Sequence, residues 1–149
     1  MISTIERPPM SQRILIVDDH EELLLLFAPP LESEGYSVRT VTDGRSALRA
    51  LDEEDFDLLI CDIVLPDVNG YELLRRASFE MPVIVMSGNL YATGGAELFE
   101  KSARGLGGAG VLRKPFSPTT LVAEVRRVLA DPESESEGEP QRVDDPVLT

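Results

Sequence analysis

The sequence predicts an α/β fold built on a mostly parallel five-stranded sheet, and three observations carry that prediction. Apolar runs of about five residues alternate with stretches of helical period, which is how βα units read in a sequence. The runs stop at residues able to do chemistry: Asp18, Asp19, Asp62, Ser87 and Lys114. The last helical stretch has a cap, a first-turn proline and a one-sided apolar face, so it should dock on a sheet.

Taken in order, the first strand is 13–17, with Ile14-Leu15-Ile16-Val17 closing on Asp18-Asp19. A helix over 20–34 follows, carrying Leu23 to Phe27 and then Ala28-Pro29-Pro30. Each proline removes a backbone donor and crowds the preceding turn at a cost of about 3 kcal/mol, which predicts a break or kink near Ala28. Strand 37–41 and helix 44–54 come next, then strand 57–61, whose end opens the loop Asp62-Ile63-Val64-Leu65-Pro66-Asp67-Val68-Asn69-Gly70. Helix 70–79 leads to strand 82–86, which ends at Ser87. A helix over 96–105 is weakly specified, because residues 88–110 hold seven of the 11 glycines, and its entry loop is predicted to be mobile. Strand 110–113 ends at Lys114. In the final helix, 118–130, Ser117 caps, Pro118 occupies the first turn, and Leu121, Val122, Val125, Val128 and Leu129 share a face.

These elements fill one domain, 13–130, between a flexible segment at 1–12 and a tail at 131–149 that is predicted to be disordered. With 149 residues, 42% hydrophobic and 28% charged, the chain suits a single soluble core. Its 14 Lys and Arg against 27 Asp and Glu give a net charge of -13, which argues against a nucleic-acid partner. The tail holds seven of those acids and one base, Arg142. No apolar run approaches the roughly 18 residues that span a bilayer, and no secretory signal is visible at the N-terminus, so no membrane association and a cytoplasmic address are expected. Cys61, the only cysteine, lies in an apolar strand and is expected to be a buried core residue.

In a parallel α/β sheet the C-terminal strand ends converge on one crevice. Three acids meeting there form a hard, oxygen-rich site suited to Mg2+ (or Mn2+), with Asp19 and Asp62 as direct ligands, Asp18 orienting a bound water and the Val64 backbone carbonyl completing the set. A cation beside Asp62 would keep it ionised and able to attack phosphorus. Lys114 would supply a point charge and Ser87 a hydroxyl donor for the equatorial oxygens of a phosphoryl group. His20 reads as a polar residue at a helix start, since Mg2+ prefers oxygen. Tyr71 is expected to pack, and Tyr91 is open between packing and flanking the crevice.

Asp18-Asp19, Asp62 followed by Pro66 and Gly70, Ser87-Gly88 and Lys114-Pro115-Phe116 together give a pattern that resembles the receiver domain of bacterial two-component response regulators, over roughly 13–130. The resemblance implies a flavodoxin-like sheet in the order 2-1-3-4-5, of which receivers are a known example. It also implies phosphorylation of Asp62 from a phosphohistidine, a Mg2+ requirement and a cis Lys114-Pro115 peptide. Two departures stand out. The position three residues before the lysine, aromatic in the family, is Val111, which has no ring to swing inward. The stretch between Ser87 and Lys114 is some five residues longer than the family norm, with the surplus in 89–95.

The expected protein is thus a stand-alone receiver without an effector domain, a monomer or weak dimer. Its partners would be a sensor histidine kinase or histidine phosphotransfer protein and an unidentified downstream protein, and it would not be a metabolic enzyme. A hydrolase with an aspartyl-phosphate intermediate is the rival from another class. It would need an acid two residues after the nucleophile, where Val64 stands. A phosphate-independent scaffold is the third reading, disfavoured by the intact set of acids and lysine.

Overall fold

The computed structural model describes residues 11–88, 101, 104, 105 and 107–130. Five strands, β1 (Arg13–Val17), β2 (Ser37–Val41), β3 (Leu58–Asp62), β4 (Val83–Ser87) and β5 (Gly110–Arg113), form one parallel sheet in the order β2-β1-β3-β4-β5. This is the flavodoxin-like order. Helices α1 (Glu21–Ser33), α2 (Gly44–Glu53) and α3 (Gly70–Ala77) and a final helix (Pro118–Val128) cover its two faces. The helix expected over 96–105 and its entry loop fall almost wholly outside the described residues, as do Tyr91, residues 1–10 and the tail.

Alternation along the central strands builds two cores. Leu15, Val17, Leu59, Cys61, Val83 and Val85 point to one face and pack under Ala47 and Ala50 of α2 and Leu73, Leu74 and Ala77 of α3. Ile14, Ile16, Leu58, Ile60, Ile84 and Met86 point to the other, under Leu24, Phe27 and Leu31 of α1 and Leu121, Val125 and Val128 of the final helix. Cys61 is a buried core thiol, as expected, and burial raises its pKa. Tyr71 packs against the first core.

The predicted break near Ala28 is absent, because α1 runs unbroken through Pro29 and Pro30. The carbonyls deprived of a donor are those four residues earlier, Leu25 and Leu26, and these residues are 76% and 51% exposed. Water can therefore serve them, while burial of Leu24, Phe27 and Leu31 holds the helix to the sheet. Strands β3 and β4 each reach one residue further than expected, so Asp62 and Ser87 belong to the strands themselves. The ladder continues because Asp62 pairs with Met86, and Ser87 with Arg113. The final helix begins as expected at Pro118, with the Ser117 hydroxyl accepting from the Thr120 amide. It stops at Val128, and Leu129 serves as its C-cap.

Candidate functional site

Four strands deliver side chains to one end of the sheet. β1 runs out at Val17, and the next residue, Asp18, has its backbone N–H on the Val41 carbonyl and its side chain fully buried. Asp62 ends β3 at 4% exposure and Ser87 ends β4 at 3%. Past β5, the Lys114 N–H donates to the Ser87 carbonyl at 2.7 Å, which fixes where the lysine side chain starts. Lys114-Pro115 is a cis peptide, as the resemblance implied. Phe116 then stacks on Phe27 of α1, ring centroids 4.9 Å apart, and ties this loop to the helix that follows Asp18 and Asp19.

Lys114 joins the two buried acids. Its Nζ lies 2.7 Å from Asp18 Oδ2 and 2.9 Å from Asp62 Oδ2. The second Asp62 oxygen, Oδ1, accepts the Val64 backbone N–H at 3.0 Å. Burial pushes the Asp62 carboxyl above its ordinary pKa, against the bonds from Lys114 and Val64 that favour its charge. Burial also works against the Lys114 ammonium, but its bonds to Asp18 and Asp62 outweigh that and hold its pKa above the usual lysine value. One ammonium serves two buried carboxylates, so the cluster is short of positive charge.

Ligand atoms of Asp18, Asp19, His20 and Asp62 all lie within 4.8 Å of one another, which suits a single cation. Three carboxylates favour a hard divalent ion such as Mg2+ or Mn2+, and the partly exposed Asp19 leaves room for waters on it. His20 is the N-cap of α1, the helix-start position expected for it. Its ring nevertheless turns to the acids, with Nδ1 3.0 Å from Asp18 Oδ1 and 3.2 Å from Asp19 Oδ1. A turn residue next to two acids gives no sequence signal for that orientation.

The loop after Asp62 is shaped by glycine. A Cβ on Gly70 would stand 2.4 Å from the Ile63 carbonyl oxygen, and the Gly70 N–H donates to that same oxygen at 3.1 Å. Only glycine permits this closure. Val64 pairs with Asn69 across the loop, and its side chain is exposed. Val111 sits on β5 beside Val85 and packs partly against the first core. Sequence reasoning missed Asp67, whose two carboxylate oxygens accept the Gly44 and Arg45 amides at 2.8 and 3.0 Å.

Residues 14–126 match the family described as Response regulator receiver domain. Among curated relatives, Regulatory protein VanRc of Enterococcus gallinarum is 34% identical over 122 residues, 80% of this chain and 51% of its own length. Transcriptional regulatory protein CpxR of Escherichia coli is 38% identical over 119 residues, 78% of this chain and 49% of its own. The chain thus spans about half the length of the curated relatives it matches. Among solved structures, a CheY-like receiver domain protein from Methanospirillum hungatei superposes with a TM-score of 0.73 at 30% identity, covering 86% of this chain and 99% of that one. Chemotaxis response regulator CheY4 of Vibrio cholerae gives a TM-score of 0.71 at 27% identity, covering 80% and 99%.

Proposed function

We propose that this chain, which belongs to the response regulator receiver domain family, takes up a phosphoryl group on Asp62 from a phosphohistidine of a sensor histidine kinase or histidine phosphotransfer protein. The seating of the Asp62 carboxylate carries the reading. It is buried at a strand end, with the Val64 amide on one oxygen, an ammonium on the other and two further acids alongside.

An Asp62 oxygen attacks phosphorus as the phosphorus–nitrogen bond of phosphohistidine breaks; the imidazole leaves and an acyl phosphate remains. Lys114 then exchanges its bond to Asp62 Oδ2 for one to a phosphoryl oxygen, a charge-assisted pairing available only once the group has arrived. Ser87, buried at the end of β4, donates its hydroxyl to another phosphoryl oxygen. Asp19, Asp62 and the Val64 carbonyl would hold Mg2+ or Mn2+ directly, with Asp18 orienting a water beside it, and the bound ion would supply positive charge for the equatorial oxygens. Val64 has no proton to give or take, so the residues do not supply the general acid of an aspartyl-phosphate hydrolase. Receivers are phosphoacceptors rather than metabolic enzymes.

Output runs through a surface other than an aromatic rotamer at position 111, since valine has no ring to reorient. The reading concerns the phosphoacceptor module; what the remaining half of the longer relatives does stays with those proteins. It is tested by incubating the wild type and Asp62→Asn with acetyl phosphate and Mg2+. Stoichiometric acid-labile label on the wild type and none on the variant is expected. Equal labelling of the Asn variant, or no labelling of either, would overturn the assignment.

A further inference from the structure

The geometry points to Asp67 as a positioning residue. By clamping the tip of the loop 63–69 onto the first turn of α2, it fixes the Val64 peptide and so sets the affinity of the site for a divalent cation. The inference rests on the phosphoacceptor reading and deepens it.

The loop has two attachments. Its base closes through the Gly70 N–H on the Ile63 carbonyl and through the pairing of Val64 with Asn69. Its tip is held on α2, where Asp67 Oδ1 accepts the Gly44 amide at 2.8 Å and Oδ2 the Arg45 amide at 3.0 Å. First-turn amides have no partner within their own helix, so an external carboxylate answers a standing need there. The local cap, Asp43, takes a different amide, that of Ser46. Close approach is built in on both sides, since a Cβ on Gly44 would lie 2.0 Å from Val68 Cγ2.

Val64 belongs to the base through its pairing with Asn69, three residues before the clamped Asp67, and it does two jobs. Its N–H holds Asp62 Oδ1, and its carbonyl is the proposed backbone ligand. With the tip released, only the pairing with Asn69 and the Gly70 closure hold that peptide, and both contacts lose part of their fixed direction. Asp67 stands outside the cluster of Asp18, Asp19, His20 and Asp62 and acts only through the loop. Asparagine at 67 keeps one acceptor oxygen but turns an N–H2 toward the second amide, so it preserves half of the clamp.

The full chain, 15N-labelled and without any phosphodonor, is titrated with Mg2+ as wild type, Asp67→Ala and Asp67→Asn. Amide shifts around Val64 report binding, and hydrogen exchange of Val64 is compared with that of Ile60 in metal-free protein. Asp67→Ala is expected to raise the half-saturating Mg2+ concentration about tenfold, the low end of what loss of an outer-shell support costs. Val64 should exchange faster while Ile60 does not change, and Asp67→Asn should fall between. Wild-type Mg2+ affinity in folded Asp67→Ala would overturn the proposal. So would an equal rise in exchange at Val64 and Ile60, which marks general loosening. Should Asp67→Ala fail to fold, Asp67→Asn is judged by the same two readouts. A wild type that takes no Mg2+ would sink the underlying reading as well, whereas a clamp failure alone leaves wild-type binding and Asp62 labelling intact.

Discussion

Asp18 and Asp62 are buried beside each other and share one ammonium, and this shortage of positive charge governs what single substitutions do. Asp62→Asn removes one of two like charges while Lys114 keeps its bond to Asp18. With metal chelated, the variant should gain roughly 1–2 kcal/mol of stability, the low end of the roughly 1–4 kcal/mol that replacing buried ionic groups by neutral ones can bring. Lys114→Ala leaves both carboxylates without their cation and should cost roughly 3–5 kcal/mol. Urea unfolding of both variants checks the opposite signs. At Asp67, partial shielding from water pushes the carboxyl pKa up, but the Arg45 and Gly44 amides and its own pull it further down, and the net shift is downward. A depressed carboxyl stabilises fully above the ordinary pKa of about 3.9 and loses that contribution as pH falls through the lower folded value. The difference in urea midpoint between wild type and Asp67→Ala should therefore be constant near neutrality and shrink below about pH 4. A difference that grows on acidification would contradict the clamp's charge.

Among the elements, α1 shows how packing overrides local propensity. Pro29 is exposed and still occupies a helix interior. Pro29→Ala should therefore stabilise the protein by about 1–3 kcal/mol, up to the full difference in helix propensity, as judged by thermal unfolding. No gain would mean that the helix is already adjusted around the ring. The loop 63–69 shows the opposite case, where one residue type is obligatory. Gly70→Ala would press a methyl group onto the Ile63 carbonyl and the Asp62 carbonyl, 2.7 Å away, so the loop base must open. Loss of phosphorylation in a protein that still folds is the expected result, and full activity would show that the base can shift without moving Asp62.

For the whole molecule, the sheet gathers at one end what the chain spreads over nearly a hundred residues, and a divalent cation should bind that end in the folded state only. Mg2+ at about 100 times its dissociation constant would add roughly 2.7 kcal/mol. A matching rise in melting temperature is expected for the wild type, with little or none for Asp19→Asn. An equal rise in both would place the cation elsewhere. Among the described residues, no helix is long and apolar enough to cross a bilayer.

The sheet order came only through the family that the motifs resemble; the sequence by itself determined the alternation of strands and helices and the strand ends that carry Asp18, Asp19, Asp62, Ser87 and Lys114. Those features are local or periodic, because a buried strand must be apolar along its length and a site residue must interrupt the run. Tertiary structure alone decided the rest. Whether Pro29 and Pro30 break α1 depends on which of its carbonyls face water, and propensity does not know that. How Lys114 divides itself between two acids depends on where β1, β3 and β5 stop relative to one another in the sheet. That Asp67 belongs to the first turn of α2 depends on a contact across 23 residues of chain, between a loop and a helix whose own cap was already accounted for. Local sequence specifies which groups need a partner, and only the packed sheet and its loops specify which partner arrives.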